Sequence, residues 1–592
     1  MTPAKLILFI SSGYDRFREA QQVRMSSNFE GLPLLAILGL VCGLVSGGLI
    51  ILFRMTMESG AGLILPNGDL EGFESLSKEA RFFLCVGGGL LVGLLLQSLR
   101  DKSRNVGVVH VLERLDYHQG NLPIKNAVLQ FVAATISLIS GHSVGREGPS
   151  VHLGATGGSV LGRILQVPNN SVRILVGCGV AAAISAAFNT PLAGVIFAME
   201  VVIMEYTVIG FTPVIISAVS ATTLTRILLG DDQAITAPIY ELNYIFEIPL
   251  VALMGAMIGC ISAAFIQMTM FTSSLFIQQA IWIRTLLAGV ITGLIAMLIP
   301  EVMGTGYDTL NHVLFAQIGL AGVILLTIAK FLATSTAIGL GIPAGLIGPT
   351  LFIGAVSGST FGLFAADFDP RLTDAGFYAV LGMAAMMAAT LQAPLAALIY
   401  LLELSSNQAV ILPGMTAVIT ASLVTRVVFG KSSIYRHLML ARGLDYRNTP
   451  MSKALRRIGV ASVMQRDVVQ HTRLISKLEA ENILKQEPRW VLLNNEEKRN
   501  TSLLPATDLA RHLNELDPNH EDDQEHRFDL LTIPAKRLDT VAIPIIATLQ
   551  EAHEIMHSND CEILYVTGAH GRAKKRIYGI ITREHIDSSY QF

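Results

Sequence analysis

Charge is what this sequence has least of. Of 592 residues only 15% are Asp, Glu, Lys or Arg, whereas 51% are hydrophobic; an ordinary soluble domain carries roughly 25% charged residues. With a mean hydropathy of +0.52, the chain reads as a polytopic membrane protein. Cysteine pairing is missing too: Cys42, Cys85, Cys178, Cys260 and Cys561 are scattered, with no CxxC pair and no ligand spacing. That argues against a disulfide framework and against a metal site. The net charge of −3 gives no reason to expect nucleic acid as a partner.

What charge there is lies unevenly. The segment from Gly459 to Phe592 is charge-rich, while windows such as Ile174–Ala198 and Phe331–Ala366 carry none. This predicts one large membrane domain, residues 31–435, a basic linker over 436–458, and a soluble domain over 459–592. At the N-terminus Lys5 precedes Leu6–Ile10, but this apolar core is too short for a signal peptide and no A-x-A-like site follows. Residues 1–30 instead suggest a charged helix on the membrane surface. Leu32–Phe53 is long enough to span, since about 20 apolar residues cross the hydrocarbon core. Phe82–Leu99 is followed by Arg100, Lys102 and Arg104; basic short loops favour the cytoplasmic side, so this connection and both termini are expected inside.

One short stretch stands out within the apolar part: Gly145-Arg146-Glu147-Gly148-Pro149-Ser150. A charge at membrane depth costs roughly 2.5–3.5 kcal/mol on insertion scales, which makes it a functional-site candidate. The stretch recurs 200 positions later as Gly345-Leu346-Ile347-Gly348-Pro349-Thr350. Two further anchors recur in the same order at 203 positions: Gly179–Ala182 with Gly382–Ala385, and Phe188–Glu200 with Leu391–Glu403. The membrane domain is therefore two related halves, about 32–230 and 248–430. Paired repeats with broken helices are how many transporters build a midplane site, with helix N-termini aiming free N–H groups at one anion. Close helix packing is the alternative use of the glycines, and it fits Gly154–Gly158, but it leaves Glu147 unexplained.

The two glycine-proline segments, together with Tyr435 after Gly430-Lys431, resemble the signature segments of the CLC chloride channels and chloride/proton antiporters. The resemblance implies an all-α polytopic membrane domain of two inverted repeats with broken helices, in a homodimer with one pore per subunit. It implies chloride or a similar small anion as the substrate, protons as a second partner in the antiporters, and no enzymatic activity. It makes Glu147 the gating glutamate, a carboxylate that competes with the anion for the same amides. Gly145, Arg146, Gly148, Leu346 and Ile347 would then flank the anion with their backbone, and Tyr435 would donate its hydroxyl; an interfacial aromatic anchor is the other reading of Tyr435.

Two departures follow from the same resemblance. Where the family has a Gly-Ser-Gly-Ile-Pro segment, this chain reads Asn105-Val106-Gly107-Val108-Val109, so Val106 replaces the serine donor beside Gly107. Where antiporters have a second glutamate after the Pro-Leu-Ala-Gly helix, this chain has Glu200 followed by Val201, and valine relays no proton. Glu205 lies on a different helical face, and Glu200 and Glu403 read as structural, buried carboxylates bonded to nearby amides or to a cation. The expected function is a chloride-selective channel or uncoupled passive pathway gated by Glu147. The alternatives are an antiporter with another inner proton route, through Glu205 or water, and a membrane-anchored nucleotide sensor whose pore is vestigial.

In the soluble domain, Ala461–Val469 and Arg576–Arg583 resemble the opening and closing strands of CBS modules, a small α/β pair placed at about 459–515 and 528–592. Strands at Trp490–Leu493 and Ile563–Val566 alternate with helical runs at Ile475–Lys485 and Thr548–His557, and Asp517–Glu525 reads as a solvated linker. Some CBS pairs bind adenine nucleotides through an aspartate. Asp508 stands at that place in the first module, whereas Thr582-Arg583-Glu584-His585 offers histidine in the second. No cofactor is required; an adenine nucleotide at Asp508 and Thr582 is the one candidate ligand, beside a purely dimerising role.

Overall fold

The computed structural model describes residues 31–65, 70–99, 103–231, 235–238, 240, 242, 244–444, 450–495, 500–515, 527–568 and 576–590. The expected N-terminal surface helix and the acidic linker Asp517–Glu525 fall outside these residues. One compact unit comprises Leu35–Ile164 with Val172–Tyr446, and a second is built on Arg447–Phe592.

The first unit is helical throughout. Its first half runs through α1 (Leu32–Ile64), α2 (Lys78–Gln97), α3 (Gly107–Tyr117), α4 (Ile124–Ile139), α5 (Glu147–Ile164), α6 (Asn169–Phe188), α7 (Pro191–Phe197, extended by a π-turn over Ala198–Ile203) and α8 (Val208–Leu229). The second half repeats the plan with α9 (Ile248–Leu275), α10 (Ile281–Leu298), α11 (Tyr307–Leu314), α12 (Leu320–Leu340), α13 (Ile347–Phe368), α14 (Ala375–Leu391), α15 (Pro394–Ser405) and α16 (Ile411–Leu423), followed by α17 (Ile434–Ala441). Nine helices among the described residues are long and apolar enough to cross a membrane, and the protein is an integral, multi-pass one.

Boundaries differ from the sequence reading where a local interaction extends or stops a helix. α1 continues past Phe53 to Ile64 because Arg54 and Glu58, one turn apart, pair at 2.7 Å. α2 begins at Lys78, where the Ser77 side chain accepts from Ala80 N. The window Phe331–Ala366 breaks between Leu340 and Ile347, Gly341 ending α12 in the left-handed region at φ 101°. The packing role expected of Gly154–Gly158 holds for Gly154 and Gly158, which lie against α6; in the second half Gly354 and Gly358 lie likewise against α14, each of the four leaving no room for a Cβ. Residues 436–458, expected as a linker, are partly helical, in α17 and in Pro450–Arg457.

The second unit holds a six-stranded mixed sheet, in the order β1 (Val468–His471), β3 (Trp490–Asn495), β4 (Asn500–Pro505), β6 (Leu538–Pro544), β7 (Ile563–Thr567), β8 (Ile577–Thr582). β2 (Leu474–Ser476) pairs antiparallel with β5 (Arg527–Asp529). β1–β3 and β6–β7 are parallel, each joined through a helix, Lys477–Leu484 or Leu549–Ser558, so the same β-α-β-β-α passage occurs twice. Two expectations shift. The stretch Ala461–Val469 begins as a helical turn, Val460–Val463, and becomes strand only at Val468. Ile475 lies in β2 rather than in the helix, which starts after Ser476 because Ser476 and Glu479 form a capping box.

Candidate functional site

Proline fixes where the two central helices start. Pro149 and Pro349 sit in the first turns of α5 and α13, where the missing N–H removes no intrahelical bond. The first i→i−4 bonds there are Ser150 N to Arg146 O at 3.1 Å and Thr350 N to Leu346 O at 3.0 Å. The amides of Glu147 and Gly148, and of Ile347 and Gly348, precede them and have no partner within their helix. Just before these starts the two chains cross. Gly145 N donates to Gly345 O at 2.9 Å and Gly345 N to Gly145 O at 2.7 Å, an antiparallel bridge. A Cβ on Gly345 would lie 2.6 Å from Gly148 N and 2.8 Å from Gly145 O, so only glycine permits the crossing.

A cavity of about 610 Å³ leads to this crossing. Its wall includes Val106, Gly107, Gly148, Gly345, Leu346 and Tyr435, and also Arg104, Arg284, Arg442 and Glu113. Three guanidinium groups against one carboxylate, among the described residues, attract small anions. Val106 precedes the first turn of α3 in extended conformation and contributes no side-chain cap, and Val106, Gly107, Val108 and Val109 all line the cavity. Asn126 on α4 fixes this turn, its amide donating to Asn105 O at 2.9 Å. Gln130, one turn on, donates to Pro343 O at 2.8 Å and so ties the first half to the break in the second. The buried pair His110 and His152, with Nδ1 and Nε2 2.9 Å apart, joins α3 to α5. Tyr435, in the first turn of α17, is buried, and its hydroxyl has no hydrogen-bond partner among the described residues.

Glu147 is fully buried. Its Oε1 accepts a hydrogen bond from Tyr307 Oη at 2.6 Å, its Oε2 has no partner among the described residues, and the carboxylate lies against Gly145 in one half and Gly348 in the other. Arg146 turns away from the cavity: its guanidinium donates to Ala187 O at 3.0 Å and stacks 5.3 Å from the centre of the Tyr307 ring. Ile347 opens α13 but, unlike Leu346, is not part of the cavity wall.

Glu200 and Glu403 hold the two halves together reciprocally. Glu200 accepts from Leu395 N at 3.2 Å and Ala396 N at 2.7 Å, at the start of α15. Glu403 accepts from Leu192 N at 2.9 Å and Ala193 N at 2.8 Å, at the start of α7. Each carboxylate thus caps the proline-started helix of the other half, where orphan amides and the positive end of the helix dipole favour it. Val201 is buried and lines a second cavity of about 200 Å³, which Glu200, Gln392, Arg426 and Tyr435 also border. The π-turn ends at Met204, left-handed at φ 57°, so Glu205 lies beyond the helix. In the second unit Asp508 is in the first turn of Ala506–Glu515, 3.8 Å from Arg511, and the Thr582 hydroxyl is 2.9 Å from His585 Nδ1. Both residues already have side-chain partners within their own helical turn.

The sequence reading missed Tyr307, Lys330 and Glu71. Lys330 was detectable: it is a lone charge within the apolar α12 and directly precedes the charge-free window that drew attention.

The chain matches, over residues 88–426, the family model described as voltage gated chloride channel. It is 33% identical over 373 residues to the ClcB-like protein of Ralstonia nicotianae, covering 62% of this chain and 86% of that one. It is 31% identical over 328 residues to the H(+)/Cl(−) exchange transporter ClcA of Vibrio cholerae, covering 54% and 69%. Among solved structures it is similar to a slow cyanobacterial Cl−/H+ antiporter, with TM-score 0.63 and 22% identity over 70% of this chain and 99% of that one. A eukaryotic CLC transporter gives TM-score 0.59 and 18% identity over 93% and 97%. At these identities the structural likenesses show a shared fold.

Proposed function

The chain belongs to the CLC family of voltage-gated chloride channels and chloride transporters, a family of transport proteins rather than enzymes, and we propose that it carries chloride passively through a pore gated by Glu147. The observation that carries this reading is the fully buried carboxylate of Glu147 at the glycine crossing, reached by an arginine-lined cavity. A carboxylate is itself an anion, so it competes with chloride for the amides that begin α5 and α13. Leu346 carries no charge at the matching turn of the second half, so the path is lined there by dipoles rather than by a cation that would trap the ion. Val201 supplies no proton-carrying group, and Glu200 is committed to Leu395 and Ala396, which supports transport without obligatory proton exchange.

Chloride/proton antiport is the second reading, favoured by the cavity beside Val201. It reaches Tyr435 and, at about 200 Å³, has room for several waters at about 30 Å³ each, which could relay protons in place of a carboxylate. The family resemblance further suggests a homodimer with both termini inside. For the soluble domain, the committed partners of Asp508 and Thr582 support a structural role over nucleotide binding.

Reversal potentials of the reconstituted protein test the two readings. With a chloride gradient alone, both give a potential set by chloride; adding a pH gradient leaves it unchanged for a passive pathway. A shift with pH at fixed stoichiometry would establish antiport and end the passive reading.

A further inference from the structure

Tyr307 is held unusually firmly for a residue whose hydroxyl meets a carboxylate that has to move. The loop before it turns through two left-handed glycines, Gly304 at φ 55° and Gly306 at φ 74°. Its carbonyls converge on the Lys330 ammonium, which is fully buried and donates to Val302 O at 3.0 Å, Gly304 O at 3.1 Å and Thr305 O at 3.4 Å. The same ammonium lies 4.7 Å from the centre of the Phe352 ring. From the other side Glu71 accepts from the Thr305 hydroxyl and from Gly306 N, the latter at 2.8 Å. The Tyr307 ring is pinned under Arg146. A lysine and a glutamate, both in the apolar unit, are thus used to fix a loop whose next residue donates the only hydrogen bond that Glu147 receives among the described residues.

We propose that Tyr307 is the positioning residue of the gate: its hydroxyl, anchored through the Lys330–Glu71 loop, holds the Glu147 carboxylate in the closed pose between Gly145 and Gly348. This rests on Glu147 being the gate. For the carboxylate to leave the path, the bond to Tyr307 has to break, so the strength of that bond sets how often the pore opens. The other titratable or charged groups facing Glu147 are Arg146 on its own turn, Lys330 on α12, Tyr400 on α15 and Tyr435 on α17. None of these four donates to the carboxylate; among the described residues Tyr307 alone does.

The test is chloride efflux from proteoliposomes with Tyr307→Phe, Glu147→Gln and the double variant, together with thermal unfolding of each. Phenylalanine keeps the ring, its packing and its contact with Arg146, and removes one oxygen. Losing a hydrogen bond to a charged group should raise flux on the order of tenfold and let outer acid open the pore at a less acid pH. In Glu147→Gln protein the same substitution should change neither flux nor pH profile, because the carboxylate it holds is gone. A Tyr307→Phe effect of equal size in both backgrounds would make Tyr307 merely structural. Unchanged flux and pH profile in Glu147 protein would overturn the proposal even if Glu147→Gln raises flux, whereas a Glu147→Gln variant with ordinary flux would remove the gate itself. Lys330→Met gives a second route to the same answer, since loosening the loop should raise flux only when Glu147 is present.

Discussion

The two glycine-proline turns share a backbone and differ in chemistry. Each begins a helix with a proline in its first turn, each leaves its first amides without a partner in that helix, and each offers a glycine to the same bridge, Gly145 to Gly345. The first turn then carries Arg146 and Glu147, the second Leu346 and Ile347. Glu200 and Glu403 show the opposite relation, with identical residues doing identical work in exchange. What this teaches is that the scaffold is built symmetrically from backbone and from two reciprocal caps, while the gate is an asymmetric addition that the scaffold does not need.

If that division is right, the largest loss of stability comes from the caps. Glu200→Ala and Glu403→Ala should each destabilise the protein by roughly 2–4 kcal/mol, because two helix-start amides, one exposed and one part-buried, lose a charged acceptor at once. The two values, measured by thermal unfolding in detergent, should agree closely, and a marked inequality would break the symmetry. Next comes the crossing. Gly345→Ala forces a Cβ against Gly148 N and Gly145 O and should cost about 1–3 kcal/mol, with loss of chloride flux. Glu147→Gln should do the reverse: flux rises several-fold with unfolding temperature unchanged or higher, since an under-bonded buried charge is removed. A drop in stability as large as that of Glu200→Ala would make Glu147 part of the scaffold.

The smallest effect is expected outside the pore. The Arg473 guanidinium, 2.7 Å from Asp529, holds that carboxyl below the usual carboxylate range. A depressed folded value contributes stability at pH above the unfolded value of about 3.9, and this stability fades as pH falls through the folded value. With Arg473 40% exposed, the contribution is about 1 kcal/mol or less. Amide protection factors in β2 and β5, which correct for the intrinsic exchange rate, should fall on acidification below about pH 4, and Asp529→Asn should remove that pH dependence without altering chloride flux.

Much of the membrane unit could be read directly from the sequence. The repeat was visible as residue identity, and helix starts at Glu147, Ile347, Pro191 and Pro394 follow from glycine and proline rules that act over one turn. The structural reading of Glu200 and Glu403 was available for the same reason, because each follows the proline-started helix of its own half. Their exchange of partners was not, since Glu200 meets amides 195 positions away. In the second unit, apolar strands alternating with helical runs were legible, but Ile475 was misplaced because Ser476 decides locally where strand gives way to helix.

From sequence alone came a polytopic membrane protein of two related halves, a glutamate at the broken turn, a valine where a proton carrier would stand, and a separate α/β domain. The meaning of that valine rests on the family resemblance; the other features rest on composition, on the internal repeat and on the steric limits of glycine and proline, all of which can be read without the fold. Only the tertiary structure decided that the two turns pair as one bridge, that three arginines from distant segments share a cavity, and that Tyr307 reaches Glu147 across 160 positions. Hydrogen bonds and charges act over a few ångströms of space regardless of chain separation, so they take effect only once the fold has brought their partners together.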